Sequence, residues 1–373
     1  MRRLFVAGLA ALALAAPAHA ARPPAVDARA YLVVDGRTGD VLAARNAHAR
    51  VPIASVTKLM TVLVALEHLK PGDTVSVQPA AAGVGESSIG LRAGERLTVH
   101  DLLEGALIQS ANDAAYALAA SAGGGDVSSF VREMNAKART LRLGDTHYVR
   151  PDGLDAPGEY SSAADVTRLA RLLMHEPAVR QTVRLRTANI AGGRVLHTWN
   201  DLLGTFPGLI GVKTGHTNAA GWCEVAAVRR PGVSVYATIL GSPSREQRNA
   251  DLAALLRWGV NRYRVQSVIG QGRTYALAET GYGRDPLRLV AASRARRAIR
   301  VDRPLRARVV AASAVSLPVR AGQRLGTIRV YDGKRVLAVR PLVAARAVSR
   351  PSLAARVGFY ARRTAKHLWS WVS

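Results

Sequence analysis

The run "PIASVTKLMTVLVALEHLK", Pro52 to Lys70, has the length of a helix and is apolar on almost every side. Such a helix belongs in the centre of a domain, and Pro71-Gly72 marks its end. Ser55 and Lys58 stand three apart at its start, on one helical face. A serine there is either an ordinary helix cap or a nucleophile beside its base, at the positive end of the helix dipole. These residues alone leave both readings open, and the rest of the chain has to decide between them.

Before this helix, "AYLVVDGRTGDVLAARN" (Ala30 to Asn46) reads as a β-hairpin turning around Gly36 and Gly39. After it, Thr74 to Val99 reads as short strands and a loop. A helix is expected from about His100 to Ala122, carrying "SAND" in its middle, and another over roughly Val127 to Leu141. "SSAADVTRLARLLMHE" has a capping serine and a helical period in Val166, Leu169, Leu172 and Leu173. Three strands follow, around "LIGVKTG", "GWCEVAAVRR" and "VSVYATILGS", and then a closing helix, "REQRNADLAALLRWGVNRY". Strands at both ends with helices between them predict one sheet assembled from the two ends of an α/β (α+β) domain, residues 21–262.

From residue 263 to 350 the pattern changes to short alternating strands, with Asp332-Gly333 as a hairpin turn, which predicts a small all-β domain. The charge changes with it. Residues 263–373 carry 23 Lys and Arg against four acids (Glu279, Asp285, Asp302, Asp332), a net +19 of the chain's +26. A surface this basic favours an anionic neighbour such as lipid headgroups or a wall polymer. In residues 351–373, Leu353, Val357, Tyr360, Leu368, Trp369, Trp371 and Val372 share a broad helical face, with Arg356, Arg362, Arg363 and Lys366 mostly elsewhere. This is the pattern of a basic amphipathic helix resting on an anionic membrane surface; a helix packed on the β domain is the alternative.

At the other terminus, Arg2-Arg3 precede the apolar "LFVAGLAALALAA" and the small-residue "PAHA", the organisation of a secretory signal cut after Ala20. Residues 1–20 therefore predict export to the periplasm or cell envelope. The one cysteine, Cys223, excludes an internal disulfide and reads as a small buried hydrophobe. The chain has six lysines against 46 arginines. Where charge alone would serve it uses Arg, so Lys58 and Lys213 stand out: lysine, unlike arginine, loses its proton when desolvated.

A Ser-x-x-Lys match by itself has a real chance of being accidental. The signal is the ordered set Ser55-Val-Thr-Lys58, Ser110-Ala-Asn112 and Lys213-Thr-Gly215, at a helix start, an interhelical segment and a strand end. With "LIQSANDAAYALA", "DGLDAPGEYSSAADVTRLA" and "GVKTGHTNAAGWC", the chain from about 30 to 350 resembles the serine D-alanyl-D-alanine carboxypeptidases, low-molecular-mass penicillin-binding proteins related to serine β-lactamases. Ala111, where Gly is frequent, and Ile210, where an acid is frequent, depart from the pattern without touching its chemistry.

The resemblance implies a penicillin-recognising fold with the trailing β domain and amphipathic tail of the anchored members. It implies a peptidoglycan stem peptide as substrate, β-lactams as covalent inhibitors, Ser55 as nucleophile and Lys58 as its base. Ser110 would relay the proton, Asn112 hold the substrate amide, and Lys213 and Thr214 bind the terminal carboxylate. Gly215 would let the substrate lie close, and the backbone N–H groups of Ser55 and His216 would form the oxyanion hole.

No cofactor or nucleic acid is expected: the histidines lack metal-ligand spacing and no phosphate-cradling loop follows a strand. A class A β-lactamase would carry Glu-x-x-Leu-Asn between the second and third motifs, and Glu133, Glu159 and Glu176 lack that context. A D,D-endopeptidase uses the same triplets, and an inactive wall- or membrane-tethered scaffold is the reading from another class.

Overall fold

A computed structural model describes residues 22–369, with side chains to residue 365. The expected signal lies outside the described residues, as do the side chains of Leu368, Trp369, Trp371 and Val372. One compact unit runs to Asn261 and a second begins at Arg262.

The first unit opens with the hairpin of β1 (Ala30–Asp35) and β2 (Val41–Arg45). A 3-10 turn (Ala54–Thr57) leads into α1 (Lys58–His68). β3 (Thr74–Ser76) and β4 (Arg96–Thr98) pair around the one-turn α2 (Pro79–Ala82). Then come α3 (Val99–Glu104), α4 (Asn112–Ala122), α5 (Val127–Thr140), α6 (Ala163–Leu173) and α7 (Pro177–Thr182). The small ribbon of β5 (Thr187–Ile190) and β6 (Arg194–His197) precedes β7 (Leu209–Thr217), β8 (Gly221–Arg230), β9 (Val233–Ser242) and α8 (Arg245–Asn261).

The main sheet is antiparallel in the order β2-β1-β9-β8-β7, so strands from the two ends of the unit do meet in one sheet. Every residue of β1 is buried, since helices cover both faces of the sheet. On one face α8 lies against Val33 and Val235, where a Cβ at Gly259 would stand 3.1 and 2.9 Å from them. On the other, α6 contributes Thr167, whose hydroxyl meets that of Thr238 at 2.6 Å. α1 is buried from Lys58 to Ala65, in the middle of the helical layer as its all-round apolarity predicts.

Two sequence expectations are corrected. Ser55 does not begin the α-helix: it lies in the preceding 3-10 turn, and neither Ile53 nor Thr57 caps with its side chain. The helix expected from His100 to Ala122 is broken. After α3 the chain widens into a π-turn (Gly105–Gln109), Ser110 takes left-handed φ 66°, Ala111 is extended, and α4 starts at Asn112. A non-glycine residue in that region costs on the order of 1–3 kcal/mol, which the packing around it offsets.

The second unit contains β10 (Tyr263–Ile269), β11 (Thr274–Ala278), β12 (Leu287–Ala291), β13 (Ala295–Arg300), β14 (Arg306–Ala311), β15 (Arg324–Asp332) and β16 (Arg335–Ala344). They form a two-stranded sheet, β10-β13, and a five-stranded one, β11-β12-β16-β15-β14. Asp332 pairs with Arg335 across Gly333 at φ 57°, the expected turn. Leu353, Val357 and Tyr360 on the final helix, α9 (Leu353–Trp369), are 72, 63 and 54 % exposed. The helix touches its unit where Tyr282 meets the rings of Phe359 and Tyr360 edge-on, at 5.8 and 6.2 Å. No helix among the described residues is long and apolar enough to cross a membrane.

Candidate active site

The strands and helices bring the three triplets to one cleft at the edge strand β7. Ser55, Ser110, Asn112, Thr214, Gly215, His216, Trp199, Trp222 and Arg248 line a cavity of about 220 Å³.

The Ser55 hydroxyl has a side chain as its partner: Lys58 Nζ stands 2.8 Å from Ser55 Oγ. The same ammonium nitrogen reaches Asn112 Oδ1 and the Asp152 carbonyl, each at 2.7 Å. Lys58 is wholly buried, and burial pulls its pKa from the ordinary lysine value down to about 7, although the charges of Asp152 and Glu159 act against it. The second lysine, Lys213, is 1 % exposed and bonds Ser110 Oγ at 2.7 Å and the Thr214 carbonyl at 2.8 Å. Burial lowers its pKa well below the usual range, and repulsion from Lys58 adds to this. Each lysine is thus paired with one serine, and the broken helix is what turns Ser110 and Asn112 toward them.

Asn112 is engaged at both ends. Its Oδ1 accepts from Lys58, and its Nδ2 donates to the Gly85 carbonyl at 3.0 Å. It therefore orients Lys58 and ties down the 85–87 loop, with one amide hydrogen left to offer a ligand. Gly215 has a nearer neighbour than any substrate. A Cβ there would stand 2.9 Å from the Ile53 carbonyl oxygen and 3.0 Å from the Ser55 nitrogen, so glycine lets the Ser55 turn lie against β7.

Gly153 does the same from the other side. It has φ +78°, and a Cβ would overlap the Ala54 carbonyl, itself on a residue at φ 50°. Gly153→Ala is expected to cost ~2–4 kcal/mol through combined overpacking and left-handed strain. Denaturant unfolding measures it, and a midpoint equal to wild type would contradict the packing described.

His216 is exposed on β7, its ring tilted against Trp222 at 4.1 Å. Ala111 is wholly buried, and Ile210 packs half-buried against the core. Of four further contributors, three were missed in the sequence, and Glu159 was weighed there only against a β-lactamase context. Arg248, a buried guanidinium stacked over Trp222 at 5.5 Å, adds a cation to the cleft. The Asp152 carbonyl anchors Lys58. Glu159 accepts from Thr57 Oγ1 at 2.8 Å, and burial lifts its pKa to about 7. It lines an adjoining cavity of about 310 Å³, not the one that holds Ser55. The fourth, Glu224, lies beneath Arg248. Among the described residues, no cluster of His, Cys, Asp and Glu is arranged to hold a metal ion.

An antiparallel sheet between helical layers, with a buried lysine on a cleft serine, defines a serine hydrolase built for acyl transfer. A profile described as D-alanyl-D-alanine carboxypeptidase matches residues 17–244. The chain belongs to that family.

It is 32 % identical over 382 residues to the D-alanyl-D-alanine carboxypeptidase DacD of Salmonella typhimurium, covering 96 % of this chain and 98 % of the relative. It is 38 % identical over 221 residues to DacB2 of Mycobacterium tuberculosis, covering 58 % of this chain and 75 % of that one. Among solved structures, penicillin binding protein 6B from Escherichia coli superposes with a TM-score of 0.65 at 30 % identity, over 87 % of this chain and 98 % of that one.

Proposed function

We propose that this chain removes the terminal D-alanine from peptidoglycan stem pentapeptides through an acyl-enzyme on Ser55. The observation that carries the reading is the 2.8 Å contact between a buried, readily deprotonated Lys58 and the Ser55 hydroxyl. Neutral Lys58 takes the hydroxyl proton as Oγ bonds to the carbonyl carbon of the penultimate D-alanine. The backbone N–H groups of Ser55 and His216 hold the resulting oxyanion. The C–N bond to the terminal D-alanine then breaks, its nitrogen receiving a proton through Ser110. Water hydrolyses the ester and frees Ser55.

Lys213 and Thr214 receive the terminal carboxylate, joined by Arg248, and Asn112 offers its remaining amide hydrogen to the substrate. β7 is an edge strand, so the peptide can lie along it in extended form. β-Lactams acylate the same serine.

Residues 1–20 are read as a removed export signal and 21–262 as the catalytic domain, acting in the periplasm. A small β domain, 263–350, follows, and the basic amphipathic tail, 351–373, holds the chain at the outer face of the cytoplasmic membrane; the exposed Leu353, Val357 and Tyr360 support this.

Muropeptide analysis tests the reading. Incubation of the purified protein with crosslinked peptidoglycan should convert pentapeptide stems to tetrapeptides, release D-alanine and leave crosslinked dimers intact. Loss of dimers without loss of D-alanine would make it an endopeptidase; loss of neither would leave the scaffold.

A further inference from the structure

Beneath the carboxylate-binding end of the cleft lies an acid that the mechanism above does not use. Glu224 is wholly buried on β8, opposite Thr214 of β7 and Ile239 of β9. Its Oε2 stands 3.2 Å from Arg248 Nε, yet neither oxygen accepts a hydrogen bond from a described residue. Arg248 does not need this acid for its position. Its Nη2 donates to Asp201 Oδ2 at 3.1 Å and to Asn249 Oδ1 at 2.6 Å, and its guanidinium lies over Trp222 at 5.5 Å.

What Glu224 adds is charge. The ionisable groups facing it are Arg248 from α8, Lys213 from β7 and Asp201 from the loop before β7, and the β9 partner brings none. The two cations are those assigned to the substrate's terminal carboxylate.

We propose that Glu224 is a positioning residue that acts through Arg248, setting how strongly the cleft holds a terminal carboxylate. Ionised, it offsets the guanidinium and weakens the hold; protonated, it leaves the full positive charge to the ligand. Burial without hydrogen bonds raises its pKa to about 7, Arg248 opposing the rise, so both forms occur near neutrality. Recognition of the carboxylate is therefore strongest on the acid side of neutrality. By linkage, a carboxylate that prefers the protonated form must raise the Glu224 pKa by the same factor. The inference rests on the carboxylate assignment made above.

The test uses Ser55→Ala protein, which binds without turnover, with and without Glu224→Gln. The probes are an acylated L-Lys-D-Ala-D-Ala and the same peptide with a C-terminal amide, titrated calorimetrically at pH 5.5 and pH 8. Lys58 and Glu159 also titrate near 7, but in both backgrounds, so they cancel in the comparison. Lys213 does not, because Glu224 supports its charge, so a carboxyl 13C titration of the Ser55→Ala protein reads Glu224 directly alongside the calorimetry.

At pH 8 the Gln variant should bind the carboxylate peptide about fivefold tighter, the order expected for removing one charge at this range. At pH 5.5 the gap should close, and the amide peptide should show no gap at either pH. An equal gap at both pH values, or none, overturns the inference while leaving the carboxylate assignment standing. If amide and carboxylate peptides bind alike without Glu224→Gln, the assignment falls and the inference with it. Should the Gln variant not fold, a carboxyl 13C titration of Ser55→Ala protein decides. The Glu224 pKa should rise by about 0.7 when the carboxylate peptide binds, and an unmoved pKa overturns the inference.

Discussion

Replacing Lys58 by arginine should lower the rate of Ser55 acylation by about 10³-fold, with the fold intact. The nitrogen 2.8 Å from Ser55 Oγ has to be neutral to take a proton. Lysine meets this condition because burial brings its pKa to about 7. Arginine stays protonated in any protein environment, so it keeps the charge and the hydrogen bonds and loses the chemistry. The same reasoning fixes the pH profile. In wild type, acylation by benzylpenicillin should be flat above about pH 7 and fall tenfold per unit below it, as Lys58 takes up a proton. Stopped-flow rates across pH 5–9 check both statements. A Lys58→Arg protein acylating at the wild-type rate, or a profile that falls as pH rises through 7, would remove Lys58 from the role of base.

Most of the architecture is legible in the amino-acid sequence. The apolar runs at Ala30–Asp35 and Val233–Ser242 are strands because their faces are buried, and their β-branched residues announce it. The change of pattern near residue 262 follows from a second core that needs a period of two. The all-round apolarity of Lys58–Ala65 gave away its central position.

What escaped notice was fixed by packing over long sequence distances. The break has no Pro and no Gly at Ser110 itself, and apolar residues at Leu102, Leu103, Ala106, Leu107 and Ile108 lead up to it past Gly105, so the helical pattern gives little sign of where the backbone departs from it. The 3-10 turn at Ser55 depends on close approach to Gly153 and Gly215, about 100 and 160 residues away, which no local pattern encodes.

Within the site, the three triplets were legible because their residue types are chemically restricted in a chain that spares its lysines. Arg248 was not, being one of 46 arginines on a helix whose polarity gave no hint of burial. Glu224 sits next to Cys223 in the apolar part of a strand that turns polar only at Arg229 and Arg230. A lone acid there is the one local sign that was available, and its meaning depends on Arg248, 24 residues on, arriving beside it.

The most direct test of the central claim is the intact mass of the protein after exposure to benzylpenicillin, for wild type and Ser55→Ala, with peptide mapping of any adduct. The cleft also holds Ser87 and Ser110, so the residue that carries the adduct matters as much as its presence. Of these serines, Ser55 has its oxygen on Lys58 Nζ; Ser110, the proposed relay of the leaving group's proton, is held by Lys213. Alanine removes the attacking oxygen itself, so acylation and D-alanine release should both fall by at least about 10⁴-fold. One penicilloyl group per wild-type chain, on the peptide containing Ser55, with none on Ser55→Ala, is the predicted result. A stoichiometric adduct on the Ser55→Ala protein, or a wild-type adduct mapped to Ser110, would contradict the account.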